Sequence, residues 1–333
     1  MITTVNGAFN KFIEEIVDLD TVKTQRARRS RDWLYNQLKE LPEKADNFPA
    51  LYSGKETIGF GSFRRRTKIR PLDDIDLLLV FTGSGTTYIE QTNKIYLTVP
   101  ESAERLRKLT NEDGTLNSRR MVEKVKNSLS KVNHYQNAEL HRKQEAVTLK
   151  LSSYEWVFDI VPAFITAEDT FGKTYYIIPD GEGNWKKTDP RIDNDRATEI
   201  NQRYNGNVLS FIRLIKYWNT NISPVITSSY LMENIVLNYL DRKLFPWTGR
   251  KDELKDFFNH LINNIHSSVQ DPKGIQGDLN TLSWTERNAI SNAANNAYNS
   301  IVNAIYYQNL GNNEKAIDYW GEVFGIDFPE YEG

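Results

Sequence analysis

The stretch Gly61–Phe81, GSFRRRTKIRPLDDIDLLLVF, decides how the chain is read. Its second part, Ile75–Phe81, is a short apolar run carrying one charge, the pattern of a buried strand. Asp74 and Asp76 stand two apart at the head of that strand, so they share a face. Two carboxylates about 7 Å apart on one face repel each other, and burial raises the cost of ionising either. A cation between them relieves both costs. With no His or Cys beside them, these hard oxygen donors suit Mg²⁺ or Mn²⁺. Taken alone, such a pair could equally be an exposed acidic loop. Asp73 makes the run DDxD, and Asp74 is preferred because it alone pairs with Asp76 at i+2. Upstream, Gly61 permits a tight turn, and the Ser62 hydroxyl can bond a phosphate together with backbone N–H groups. Gly59-Phe60-Gly61 lacks the third glycine of a dinucleotide fingerprint, and no Walker A pattern occurs. Arg64, Arg65, Arg66 and Lys68, between turn and strand, are either neutralisers of phosphate charge or a solvated run.

A third carboxylate, Asp159, lies in Trp156–Pro162 (WVFDIVP). A charge in so apolar a strand is costly unless paired or metal-bound. Beside Asp74 and Asp76 it becomes a site candidate.

Working outward, 94–99, 146–151, 155–161 and 175–179 read as strands, and 101–109 and 118–132 as helices. Phe9, Phe12, Ile13, Ile16 and Val17 recur at helical spacing, and a second, longer helix follows Asp20. After Pro190 the strands stop: 209–218, 230–240, 253–265, 285–306 and 314–324 all read as helices. The expectation is an α/β domain over 1–190, including the N-terminal helices, and an all-helical domain over 191–333.

The 333 residues carry 42 basic and 44 acidic side chains, a net charge of −2. Nucleic-acid binding by bulk charge is therefore excluded. Lys23, Arg26, Arg28, Arg29 and Arg31 read as a solvated helix face, with a phosphate-facing or nucleic-acid-facing surface as the functional alternative. With no cysteine, disulfides, thiolate zinc sites and cysteine nucleophiles are excluded. No apolar run spans a membrane and the first residues lack a signal sequence, so a cytoplasmic protein is expected.

Gly-Ser, then Asp-x-Asp, then a distant lone Asp on a strand resembles the polymerase-β-like nucleotidyltransferases. Phe211–Asn219 (FIRLIKYWN) and Ser228–Glu233 (SSYLME) resemble the helical lobe of oligoadenylate synthetases and cyclic GMP-AMP synthase. Gln270-Asp271-Pro272 with Asn280 resembles a DP…N element of that lobe. Trp320–Pro329 (WGEVFGIDFP) is similar to the closing segment of bacterial CD-NTases, the cyclic-oligonucleotide synthases of CBASS anti-phage systems.

The resemblance implies an α/β plus α fold: a polymerase-β-like core with a mixed sheet against a helical oligoadenylate-synthetase-like lobe, bilobal with a central cleft. It implies that Asp74, Asp76 and Asp159 are catalytic and hold two Mg²⁺ ions, or Mn²⁺. Gly61 and Ser62 would contact the donor phosphates, Lys216 the triphosphate, Ser229 phosphate, and Tyr230 a base by stacking. The implied reaction joins NTPs, ATP and GTP first and pyrimidine NTPs as further candidates, into a cyclic di- or trinucleotide. Implied partners are a nucleotide-activated effector and CBASS regulatory proteins, with no membrane and no direct nucleic-acid binding. Linear oligoadenylate synthesis or RNA tailing is the alternative within catalysis. An inactive nucleotide-binding module is the alternative outside it, against which all three carboxylates stand.

Overall fold

The computed structural model describes residues 1–92, 94–244 and 246–333. In chain order its helices are α1 (Val5–Phe12), α2 (Thr21–Lys44), α3 (Gly61–Arg65), α4 (Glu104–Arg107), α5 (Ser118–Leu129), α6 (Pro190–Arg203), α7 (Val208–Asn221), α8 (Ser229–Asp241), α9 (Arg250–Asn264), α10 (Trp284–Asn309) and α11 (Asn313–Phe324). The strands are β1 (Thr57–Phe60), β2 (Asp74–Phe81), β3 (Thr87–Gln91), β4 (Lys94–Thr98), β5 (Glu139–Lys143), β6 (Ala146–Lys150), β7 (Val157–Ile165), β8 (Tyr176–Pro179) and β9 (Trp185–Thr188). No helix among the described residues is long and apolar enough to cross a membrane.

Two compact units result. The α/β unit comprises Thr21–Arg65 and Leu72–Asn194. Its sheet runs β1-β2-β7-β8-β9-β4-β3, with β6 pairing β7 and β5 pairing β6. β2 and β7 are parallel and their other neighbours antiparallel, so the sheet is mixed. β2 and β7 are central because Leu77–Phe81 and Ile160–Phe164 supply apolar side chains to both faces. Gly181 and Gly183 turn the chain from β8 into β9, a hairpin tied by the Asp180 carboxylate accepting from three backbone N–H groups. The segment expected to end the strands is thus followed by one more. Of the helix expected over 101–109, one turn forms.

The helical unit comprises Met1–Asp20, Arg66–Pro71 and Asp195–Gly333. This division departs from the expected boundary at residue 190, which falls at the start of α6. Aromatic packing explains why the first residues join the helical unit. Phe9 meets Trp320 edge-on at 4.7 Å and Phe328 at 5.2 Å, and Phe12 meets Tyr217 at 5.0 Å. Phe9, Phe12 and Trp320 are almost fully buried there. A face this apolar needs a large covering surface, and α7 and α11 provide it.

Candidate active site

Parallel pairing of β2 and β7 sets Asp76 directly opposite Asp159, and Asp74 opposite Val157. In-register neighbours on adjacent strands point to the same face, so the three carboxylates share it. Burial follows the alternation: Asp74, Asp76 and Asp159 are half-buried while Ile75, Phe158 and Ile160 are buried. Asp73 lies before the strand and is exposed, consistent with the choice of Asp74. β6 brings Thr148 opposite Asp159 on the other side of β7. The Thr148 hydroxyl donates to Asp159 Oδ1 at 2.7 Å, which fixes that carboxylate's orientation. Nothing in the sequence singles out Thr148; only the β6–β7 register reveals it.

Gly61 follows Phe60, which pairs with Asp76 across β1 and β2. Its φ of +69° lies in the left-handed region. A Cβ there would sit 1.8 Å from Asp76 Oδ2. Glycine is therefore required twice, by backbone conformation and by the close approach of the carboxylate. Ser62 is half-buried at the start of α3. The structure thus brings Gly61 to Asp76, and Asp76 beside Asp74 and Asp159.

These oxygen donors fit a hard divalent cation in type, and the missing Cβ at Gly61 leaves room against Asp76. Among the described residues, however, no three His, Cys, Asp or Glu side chains are drawn tightly enough together to enclose a metal.

In the helical unit, Lys216 sits on α7 with its side chain 3% exposed. Its ammonium donates to the Thr67 carbonyl at 2.9 Å and lies 4.0 Å from Glu233, itself 2% exposed. Ser229 is exposed at the start of α8, where the preceding Ser228 side chain accepts from the Tyr230 N–H. The Tyr230 hydroxyl donates to Asp271 at 3.1 Å and also bonds the Lys273 ammonium, which lies 4.3 Å from the ring centre. Asp271 further pairs with Lys273 at 2.9 Å and accepts from the backbone N–H groups of Lys273, Ile275 and Gln276. Burial pushes the Asp271 carboxyl up, but Lys273 and these N–H groups outweigh it and hold it below the usual range. Asn280, the other half of the DP…N element, bonds the Ile265 and Ser267 carbonyls. The element thus orders its own loop and anchors Tyr230. Thr67, Glu233 and Lys273 are partners that sequence reasoning missed. Long-range contacts bring Thr67 to Glu233, and no local pattern marks it.

No family model matches the chain. A probable cyclic nucleotide synthase of Bacillus cereus (strain VD146) is 62% identical over 332 residues, covering 100% of both chains. CdnC of Escherichia coli MS115-1, solved with ATP and also in complex with HORMA-deltaN, superposes with a TM-score of 0.70 in both cases. Its identity is 20% in the ATP structure, which covers 97% of this chain and 98% of that one, and 19% in the complex, with 97% of each covered. E. coli DncV in its 3′-deoxy GTP bound form superposes with a TM-score of 0.61 at 15% identity, covering 96% and 97%. The solved structures establish that the chain has the fold of CdnC and DncV, and the identity to the Bacillus protein establishes the kinship: this chain belongs to the family of that probable cyclic nucleotide synthase.

Proposed function

We propose that the chain condenses two or three NTPs into a cyclic oligonucleotide second messenger. The observation that carries this reading is Asp76 set opposite Asp159 with Asp74 on the same face, against a glycine that leaves no room for a Cβ. The Bacillus relative's name supports the cyclic product. Asp74, Asp76 and Asp159 would hold divalent cations, two Mg²⁺ or Mn²⁺. Bound there, such ions supply charge stabilisation to the attacking and leaving oxygens of an in-line displacement. Asp159, oriented by Thr148, faces the acceptor hydroxyl and receives the proton it loses. Ser62 bonds the donor phosphates. Tyr230, held by Asp271 and Lys273, offers a ring to a base, and Ser229 offers its exposed hydroxyl to phosphate.

The bound ATP of CdnC and the GTP analogue of DncV support purine NTPs as substrates, and the CdnC complex supports a HORMA-type regulatory partner. The biological role that fits is CBASS anti-phage signalling, with the product activating a downstream effector.

Incubation with labelled NTP mixtures, followed by phosphatase and nuclease digestion, tests the reading. A phosphatase-resistant product containing no terminal phosphate is expected, and EDTA should abolish it. Linear products with phosphatase-labile ends would favour oligoadenylate synthesis or tailing, and turnover in chelator would overturn the metal reading.

A further inference from the structure

Asp76 and Asp159 belong to a row of residues that crosses five strands of the α/β unit. Phe60 on β1 pairs with Asp76, Asp76 with Asp159, Asp159 with Thr148 on β6, and Thr148 with His141 on β5. The next row, toward the head of β2, reads Asp74, Val157, Lys150 and Glu139. In-register partners share a face, so Lys150 and His141 stand on the carboxylate face, one and two strands beyond β7. The other face of the β5–β6 hairpin is covered: Val147 and Leu149 are buried there, and Arg142 lies 3.6 Å from Glu123 of α5. Lys150 and His141 are both exposed. Among the described residues neither is held by an ion pair or a side-chain hydrogen bond, although Glu139 lies directly across from Lys150.

An in-line displacement places the attacking and leaving oxygens on opposite sides of the phosphorus. Gly61 and Ser62 follow β1, on the Asp76 side of the row. With the donor phosphates there, the acceptor approaches from the Asp159 side, which is the side of β6 and β5. We propose that the β5–β6 hairpin is the acceptor platform: Lys150 holds the phosphates of the acceptor nucleotide, and His141 holds its nucleoside. A lysine supplies a point charge on a flexible stem, which suits phosphates that must be repositioned between a first and a ring-closing transfer. The imidazole supplies hydrogen bonds and a flat face to ribose or base. The His141 backbone is about 10 Å from that of Asp159, two strand spacings, so a nucleoside with its hydroxyl at Asp159 lies above the hairpin. The inference rests on the transferase reading of the three carboxylates and on Ser62 as the donor contact.

The test separates the two substrates. A labelled 2′,3′-dideoxy purine NTP has no hydroxyl to attack with and acts only as donor. A purine NTP with a methylene between its α and β phosphorus atoms has no leaving group and acts only as acceptor. One transfer between them joins the acceptor oxygen to the donor α-phosphorus, releases pyrophosphate and a proton, and gives a linear dinucleotide whatever the natural product; ATP and GTP analogues are tried in either role. Lys150→Gln should raise the acceptor KM about tenfold or more, and His141→Ala about threefold or more, with donor KM changed less than about twofold and the melting temperature unchanged. Lys150→Arg keeps the charge and should recover most of the acceptor KM. The platform is overturned if donor KM rises as much as acceptor KM, or if either Lys150→Gln or His141→Ala leaves acceptor KM unchanged. A Mg²⁺ titration shifted in Lys150→Gln with acceptor KM unchanged would overturn it too, by making Lys150 a counter-charge to the carboxylates. A wild type that transfers between the analogues but makes only linear products from natural NTPs refutes the cyclic reading alone. One that transfers nothing refutes the proposed function and this inference with it.

Discussion

Asp76 on β2 and Asp159 on β7 stand opposite each other in a parallel strand pair, with the Asp159 carboxylate bonded by Thr148. Neighbouring strands are about 4.8 Å apart, so the two like charges repel across that gap unless a cation intervenes. Asp76→Asn and Asp159→Asn are each expected to abolish product formation. Each should melt at or above the wild-type temperature in EDTA, by at most about 1 kcal/mol of added stability. Retention of near wild-type turnover at saturating Mg²⁺ would remove that residue from the ligand set.

Gly61 gives a sharper steric test. Alanine there meets an unfavourable φ and a carboxylate oxygen 1.8 Å from its Cβ, so Asp76 must move. Gly61→Ala should cost more than about 1 kcal/mol of stability and reduce turnover more than it reduces affinity for an NTP analogue. Paired melting and steady-state kinetics decide it. An active, stable alanine variant would show that Asp76 does not need its present position.

Thr148 is the hydrogen-bond partner of Asp159, one of the proposed metal ligands. Thr148→Val keeps the β-branched shape that β6 favours and deletes the hydroxyl. Outer partners of this kind contribute about 10- to 100-fold in metal affinity or activity. A Mg²⁺ titration of the initial rate should therefore shift toward higher metal by about tenfold or more. An unchanged curve would confine Thr148 to strand packing.

The carboxylates were legible because their signal is local: i and i+2 on one apolar run, and one charge in another. The pairing that brings them together was not, since parallel register depends on contacts far apart in sequence. Thr148 was hidden for that reason. β1, β3 and β5 were hidden for another: their burial is weak, β3 wholly exposed and β5 nearly so, and periodicity fades where no face is consistently covered. The helical half was legible over α7 to α11, whereas α6, a strongly polar helix, was not read. Where the chain divides was not, because α1 finds its apolar partners in α7 and α11, residues at the far end of the sequence. Lys216 shows the limit most clearly. Its sequence neighbours gave a helix, whereas its environment is made by Thr67 and Glu233.

Asp271 supplies a pH dependence. Its carboxyl is held below the ordinary value, so the unfolded chain takes up the proton first as pH falls. The stability it contributes is complete above the ordinary carboxylate pKa of about 3.9 and is lost as pH falls through the lower folded value. Asp271→Asn should therefore be less stable at neutral pH and should flatten the acid limb of the melting-temperature profile below about pH 4. An identical acid limb in wild type and variant would assign the dependence to other carboxylates.

Tyr230 separates two roles carried by one side chain. Its hydroxyl bonds Asp271 and Lys273, while its ring is what a base would stack on. Tyr230→Phe keeps the ring and deprives two buried charged groups of a partner, a change that costs about 1–3 kcal/mol. It should lower the melting temperature and leave NTP-analogue affinity near wild type. Tyr230→Ala removes both, and stacking contributes about 1–3 kcal/mol per base, so affinity should also fall by about five- to 150-fold. The comparison is made by calorimetric titration of an ATP analogue against each variant, alongside its melting curve. Affinity that stays at the wild-type value in Tyr230→Ala, with melting lowered equally in both variants, would assign the ring to anchoring the Asp271 loop and remove it from nucleotide binding.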